Sequence, residues 1–158
     1  MAEISRSIDI DAPIDVVFDY VTNPNNTVKY SPQFTKFIPV SQLVQGLGAK
    51  VEAAGNYMGM TIKTILEVTE FERNKKFVSR STHGVKSVST WEFSVVGTGK
   101  TKVKFTSDYS LPGRALGWLL DKMLIEKDVE KTTVETLVNL KRILENKPNL
   151  RPAEPAHW

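Results

Sequence analysis

The chain has 158 residues, 41% of them hydrophobic and 25% charged, with 21 basic against 18 acidic side chains and a net charge of +3, a globular composition of single-domain length. No stretch approaches the roughly 18 consecutive apolar residues of a membrane span. The basic residues are interspersed rather than gathered into a nucleic-acid-binding patch, so neither an integral span nor a nucleic-acid partner is expected. Without cysteine there is no disulfide, thiolate metal site or thiol nucleophile, and the first residues lack the charged start and apolar core of a secretory signal, which predicts a cytoplasmic protein.

Ile4, Arg6, Ile8 and Ile10 alternate with Glu3, Ser5, Ser7 and Asp9, the period-two pattern of a half-buried strand over 3–10. Ile14, Val17, Phe18 and Val21 then fall at helical spacing behind Pro13, with Asp15 suited to the positive helix end. Asn23-Pro24 stops this helix. A second short one over 26–30 ends at Ser31-Pro32, because the residue before proline disfavours helical geometry. Six extended segments follow, at 35–43, 50–57, 60–71, 76–83, 86–96 and 100–110, separated by glycine or charged turns. In the last two, Trp91, Phe93 and Val95 share a face, as do Val103, Phe105 and Tyr109, and Gly97-Thr98-Gly99 joins them as a hairpin. Met58-Gly59 and Asn74-Lys75 serve as further tight turns. From Leu111-Pro112-Gly113 the pattern becomes helical through about Glu145. Its charged stretch from Glu126 to Lys131 predicts a bend or a change of packing partner near Lys127. Residues 147–158, punctuated by Pro148, Pro152 and Pro155, read as an extended or disordered tail, leaving 1–146 as one domain.

An antiparallel seven-stranded sheet cannot bury a concave face on itself, so the long helix must cover it. A curved sheet and one helix touch over only part of their length, and a cavity remains between them. The same wrap predicts that the first strand pairs with the last.

Several segments resemble the START-like, or SRPBCC, superfamily with the Bet v 1-like fold, and within it the polyketide cyclase/dehydrase and lipid-transport group. They are Ile8-Asp9-Ile10-Asp11-Ala12-Pro13 with Val16-Val17-Phe18-Asp19-Tyr20-Val21, Asn23-Pro24, Tyr30-Ser31-Pro32 where relatives commonly carry tryptophan before Ser-Pro, Val68-Thr69-Glu70-Phe71, and Leu111-Pro112-Gly113 with Leu116-Gly117. The resemblance covers residues 3–145. It implies an α+β helix-grip fold: a seven-stranded curved antiparallel sheet wrapped around a long C-terminal helix, with two short helices after the first strand. The superfamily includes cyclases, quinone-binding chaperones, lipid carriers and hormone receptors, so the scaffold does not choose the ligand.

Trp91, Phe93, Phe105 and Tyr109 either fill a core or line the cavity, as do Ile62 and Leu66 in the 60–71 segment. Tyr57, Met58 and Met60 around Gly59, and Trp118, Leu119 and Met123 at the start of the long helix, flank the pocket mouth in the resembled fold. Flexible thioethers and aromatics there suit a gate, a closed apolar lid or a dimer patch. Trp118 lies opposite the stripe of Leu116, Leu120 and Met123, which predicts a partly exposed residue on the rim. His83 has no metal-ligand partner at characteristic spacing, and no nucleophile elbow or phosphate loop is present. Tyr57, Arg80, Tyr109, Glu126 and Glu130 are the polar candidates for acid-base work, although glutamates on a charged helix segment are ordinarily solvated. The expectation is a cofactor-free and metal-free binder or carrier of a small hydrophobic molecule, such as a lipid, quinone or polyketide-like compound. A cyclase or dehydratase acting in the same cavity is one alternative, and a protein-interaction module, with a homodimer through the 118–124 surface, is another.

Overall fold

The computed structural model describes residues 2–57, 60–110 and 122–146. Strand β1 (Ala2–Ile10) leads into helix α1 (Ile14–Thr22), a single 3-10 turn (Pro24–Asn26) and the one-turn helix α2 (Thr27–Tyr30). Strands β2 (Lys36–Pro39), β3 (Lys50–Tyr57), β4 (Met60–Glu72), β5 (Lys76–His83), β6 (Lys86–Gly97) and β7 (Lys100–Ser110) follow, and helix α3 (Lys122–Asn146) closes the order. The seven strands form one sheet in the order β1-β7-β6-β5-β4-β3-β2, every neighbouring pair antiparallel. As expected, β1 pairs with β7 along its whole length, from Ala2 opposite Tyr109 to Ile10 opposite Thr101.

Local chemistry sets the element ends. Pro13 occupies the N-cap of α1 with extended geometry, and its carbonyl accepts from Val17 N–H at 3.0 Å. Pro24 cannot continue the helix, and the Asn23 side chain accepts from Asn25 N–H at 3.0 Å instead. Strand β2 is shorter than the 35–43 segment read from the sequence. Pro39 removes a ladder donor, and Ser41 Oγ bonds its own neighbourhood, donating to Leu43 O at 2.6 Å and accepting from Lys50 N–H at 2.9 Å. Register irregularities in β4 between Ile65 and Leu66 and between Val68 and Glu70, and in β6 between Val95 and Gly97, bend the sheet around its concave face.

Helix α3 runs unbroken through Lys127, so the charged stretch is not a break in the helix. Its buried face consists of Ile125, Thr133, Thr136, Leu137, Leu140 and Leu144, whereas Met123, Leu124, Val134 and Val138 are exposed. Threonine methyls complete the apolar stripe, because Thr133 and Thr136 return their hydroxyls to the carbonyls of Val129 and Thr132 at 2.8 Å. Val95 also differs from expectation. It shares the inward alternation of Trp91 and Phe93 but is 65% exposed, two residues from the end of β6. Among the described residues no helix is long and apolar enough to cross a membrane.

Candidate ligand-binding cavity

One end of the space between sheet and helix is full. Phe18 of α1 stands edge-on to Phe71 and Phe93, with ring centroids 5.2 and 5.1 Å apart. Ile10, Val17, Val103, Leu137, Leu140 and Leu144 close around it. Next comes an aromatic wall in which Tyr30 meets Trp91 at 6.2 Å and Trp91 overlaps Phe105 at 4.5 Å. Such pairs add modestly to what burial of the rings contributes. Tyr30 donates to Val21 O at 3.1 Å, and its own carbonyl accepts from Asn139 of α3 at 3.2 Å. Burial raises the Tyr30 phenol far above its usual range, so it remains a neutral donor. The neighbouring Tyr20 hydroxyl is buried without a hydrogen-bond partner among the described residues.

Two spaces lie beyond this wall. An inner pocket of about 70 Å³ sits between α1, α2 and the sheet, lined mainly by Val21, Tyr30, Phe34, Phe37, Leu66 and Trp91. An outer cavity of about 430 Å³ lies between β3, β4, β7 and the first half of α3. The second falls within the range of roughly 300–1,000 Å³ typical of small-molecule sites; the first does not. Phe105 and Gln33 belong to the walls of both. Gln33 can stand there because β3 carries glycine beneath it: a Cβ on Gly55 would come within 2.0 Å of Gln33 O.

The outer cavity has an apolar body and a few polar groups. Ile62, Val85, Phe105, Ile125 and Val129 supply the carbon surface, and Asn56, Ser107, Tyr109, Asp128, Thr132, Thr133 and Glu135 the polar atoms. Thr133 is satisfied within the helix, and Asn56 Oδ1 accepts from Thr61 at 3.2 Å. The Tyr109 phenol is raised above its ordinary value by burial, with the negative charge of Glu126 adding to the effect. It stays protonated near neutrality and can donate to a carbonyl or ether oxygen.

Several residues singled out in the sequence meet at these cavities. Leu66 and Trp91 line the inner pocket, Ile62 and Tyr109 the outer cavity, and Phe105 both. Phe93 belongs to the filled end against Phe18, and Met123, 64% exposed, is on neither wall. Met58, Trp118 and Leu119, and the side chains of Tyr57 and Met60, lie outside the described residues. Glu130 pairs with Arg6 of β1 on the surface, and Arg80 and His83 are exposed on β5. Sequence reading missed Ser107, Thr132, Thr133 and Gln33. Ser107 could have been found, since it alternates with Phe105 and Tyr109 on one strand face. No local signal marks Gln33, whose place depends on the packing of 31–34 over Gly55.

A curved sheet gripping a helix over such a space defines the helix-grip class of START-like, Bet v 1-like domains. Residues 1–145 match the family described as polyketide cyclase / dehydrase and lipid transport, and the chain belongs to that family. Among solved structures, TTHA0849 from Thermus thermophilus superposes with a TM-score of 0.78 at 20% identity, covering 90% of this chain and 97% of the other. The Zhui aromatase/cyclase from Streptomyces sp. R1128 gives 0.76 at 15% identity, covering 96% and 97%. Ara h 8.0201 gives 0.67 at 12% identity, covering 92% and 99%. No curated protein matches the sequence. At these identities the structural likeness establishes the fold.

Proposed function

We propose that the protein binds a small, mostly apolar molecule carrying a carbonyl or hydroxyl group, non-covalently, in the outer cavity. The observation that carries this reading is a space of about 430 Å³ with carbon walls and the Tyr109 hydroxyl available as a donor. Apolar area supplies most of the affinity in such a site and the few polar groups fix orientation. Lipids, quinones and polyketide-like compounds all have this make-up. Solvent extraction of the purified protein followed by mass spectrometry tests the proposal, together with thermal melts against a panel of neutral hydrophobic compounds. A guest that binds only the native state must raise the melting temperature. An extract without apolar molecules and a panel that leaves the melt unmoved would remove the proposal.

A second reading, a cyclase or dehydratase acting in the same cavity, is favoured by one observation: the wall is not purely carbon and includes a titratable group, Tyr109, with a displaced pKa. The upward direction suits a proton donor to a developing oxyanion, not a base. Turnover of a poly-β-ketone substrate by the wild type, lost in Tyr109→Phe while probe affinity is retained, would favour this reading over simple carriage.

A further inference from the structure

We propose that the loop of residues 40–49, between β2 and β3, is a docking surface for an anionic lipid bilayer. This inference does not rest on the ligand-binding reading above.

The loop has two faces. Val44, Gln45, Gly46 and Ala49 form part of the wall of the inner pocket, so this segment roofs it. Outside, Ile38, Val40, Leu43, Val44 and Leu47 are all at least 41% exposed, Leu47 reaching 63%. Five large aliphatic side chains within ten residues make a patch that a protein surface rarely leaves without use. The roof is anchored at both ends. Val40 N–H bonds Lys50 O at 2.9 Å, and Gly48 and Ala49 exchange bonds with Val68 at 2.9 Å. Between these anchors, residues 42–47 are tied to the body of the domain through Gln45, whose Nε2 donates to Thr22 Oγ1 at 2.6 Å and to Asp19 O at 3.4 Å. Gly46 and Gly48, at φ +127° and +87°, supply backbone conformations that other residues rarely adopt. The Gln45 side chain therefore latches a roof whose outer face is apolar.

Charge chooses the occupant. From Tyr20 to Val51 the sequence contains Lys29, Lys36 and Lys50 and no acidic residue. Lys36 is paired with Glu52, Lys50 stands opposite Glu67 across β3 and β4, and neither Lys29 nor Lys50 has an ion-pair partner within 4.0 Å among the described residues. The acidic members of the outer cavity wall, Asp128 and Glu135, belong to α3. An apolar loop flanked in sequence by lysines fits the interface of an anionic bilayer, where aliphatic side chains enter the acyl boundary and lysines meet the headgroups. A second copy of the chain fits less well. It would bring two such basic segments together, and Lys36 and Pro39 shield the β2 edge against pairing.

Sedimentation with vesicles of phosphatidylglycerol and phosphatidylcholine, compared with phosphatidylcholine alone, tests the proposal on the ligand-free protein. The expected result is binding to the anionic vesicles that weakens with salt, and a loss of about tenfold or more in the Leu43→Asp/Leu47→Asp variant. Lys29→Glu/Lys50→Glu should produce a similar loss without touching an apolar residue, so a folding defect in the first variant does not leave the question open. Neither pair contributes to a cavity wall, and neutral-probe binding in the outer cavity should be unchanged in both; its absence in the wild type would count against the ligand reading and not against docking. Wild-type protein that ignores anionic vesicles, or variants that bind them as the wild type does, would overturn the proposal. A dimer abolished by Leu43→Asp/Leu47→Asp would overturn it in favour of self-association.

Discussion

The two ends of the space under the sheet are built from the same elements and differ in what fills them. Strand β7 sends Val103 into the filled end and Ser107 into the hollow one, and α3 presents Leu140 and Leu144 to the first but Val129, Thr132 and Thr133 to the second. Helix α1 adds Phe18 to the filled end, while at the other end the largest described apolar side chain that α3 presents to the gap is Ile125. The cavity is thus a matter of side-chain volume and of where α1 sits, since the backbone of sheet and helix is common to both ends. Close packing is the normal state of an interior, so a hollow flanked by a well-packed core marks a place where the sequence gives up packing free energy for space.

Removing the boundary between the two spaces should have the largest effect. Phe105→Ala deletes the ring shared by both and its contact with Trp91, and should cost about 3–5 kcal/mol in chemical denaturation. It should also admit longer ligands than the wild type accepts, as measured by probe competition with an alkyl-chain series. Leu140→Ala in the filled end should cost about 2–5 kcal/mol and leave probe affinity unchanged, because Leu140 touches neither space. Tyr20→Phe acts in the opposite direction. Removing a buried hydroxyl without a partner should leave stability unchanged or raise it by about 1 kcal/mol.

The smallest effect is electrostatic. Burial alone would raise the Glu145 carboxyl, but hydrogen bonds from Lys141 and from Asp11 N–H, with the lysine charges, outweigh it and hold the carboxyl below its usual value. A depressed folded value means that the stabilisation is present above the unfolded carboxylate pKa of about 4.3 and is lost as pH falls through the folded value. Urea midpoints of Glu145→Gln should therefore lie below the wild type at pH 7, by less than about 1 kcal/mol, and converge with it in acid.

Much of this was legible in the sequence. Period-two alternation marked β1, β6 and β7, each with one buried face that imposes the pattern, while glycine and charged turns delimited the other extended segments, with β2 read too long. The pairing of β1 with β7 followed from the need to wrap a helix. The cavity walls were only partly readable. Phe105, Tyr109, Leu66 and Trp91 declared themselves as aromatic or aliphatic residues on apolar faces. Ser107, Thr132 and Thr133 did not, since small polar residues facing a hollow look the same in sequence as small polar residues facing water. For the same reason the strand pattern left Phe93 open between core and cavity. Which inward residue meets a neighbour and which meets space depends on elements distant in the chain.

Whether the hollow end exists to hold a guest is decided by filling it. Ser107→Leu and Thr133→Leu place carbon into the outer cavity without disturbing the filled end, and affinity for N-phenylnaphthylamine, a neutral fluorescent probe, is compared with stability in the same proteins. We expect affinity to fall about tenfold or more, the equivalent of roughly 1.4 kcal/mol, while urea stability changes by less than that amount or rises, as cavity filling commonly does. Variants that bind the probe as tightly as the wild type, with the added side chains accommodated, would show that the hollow is not the binding site.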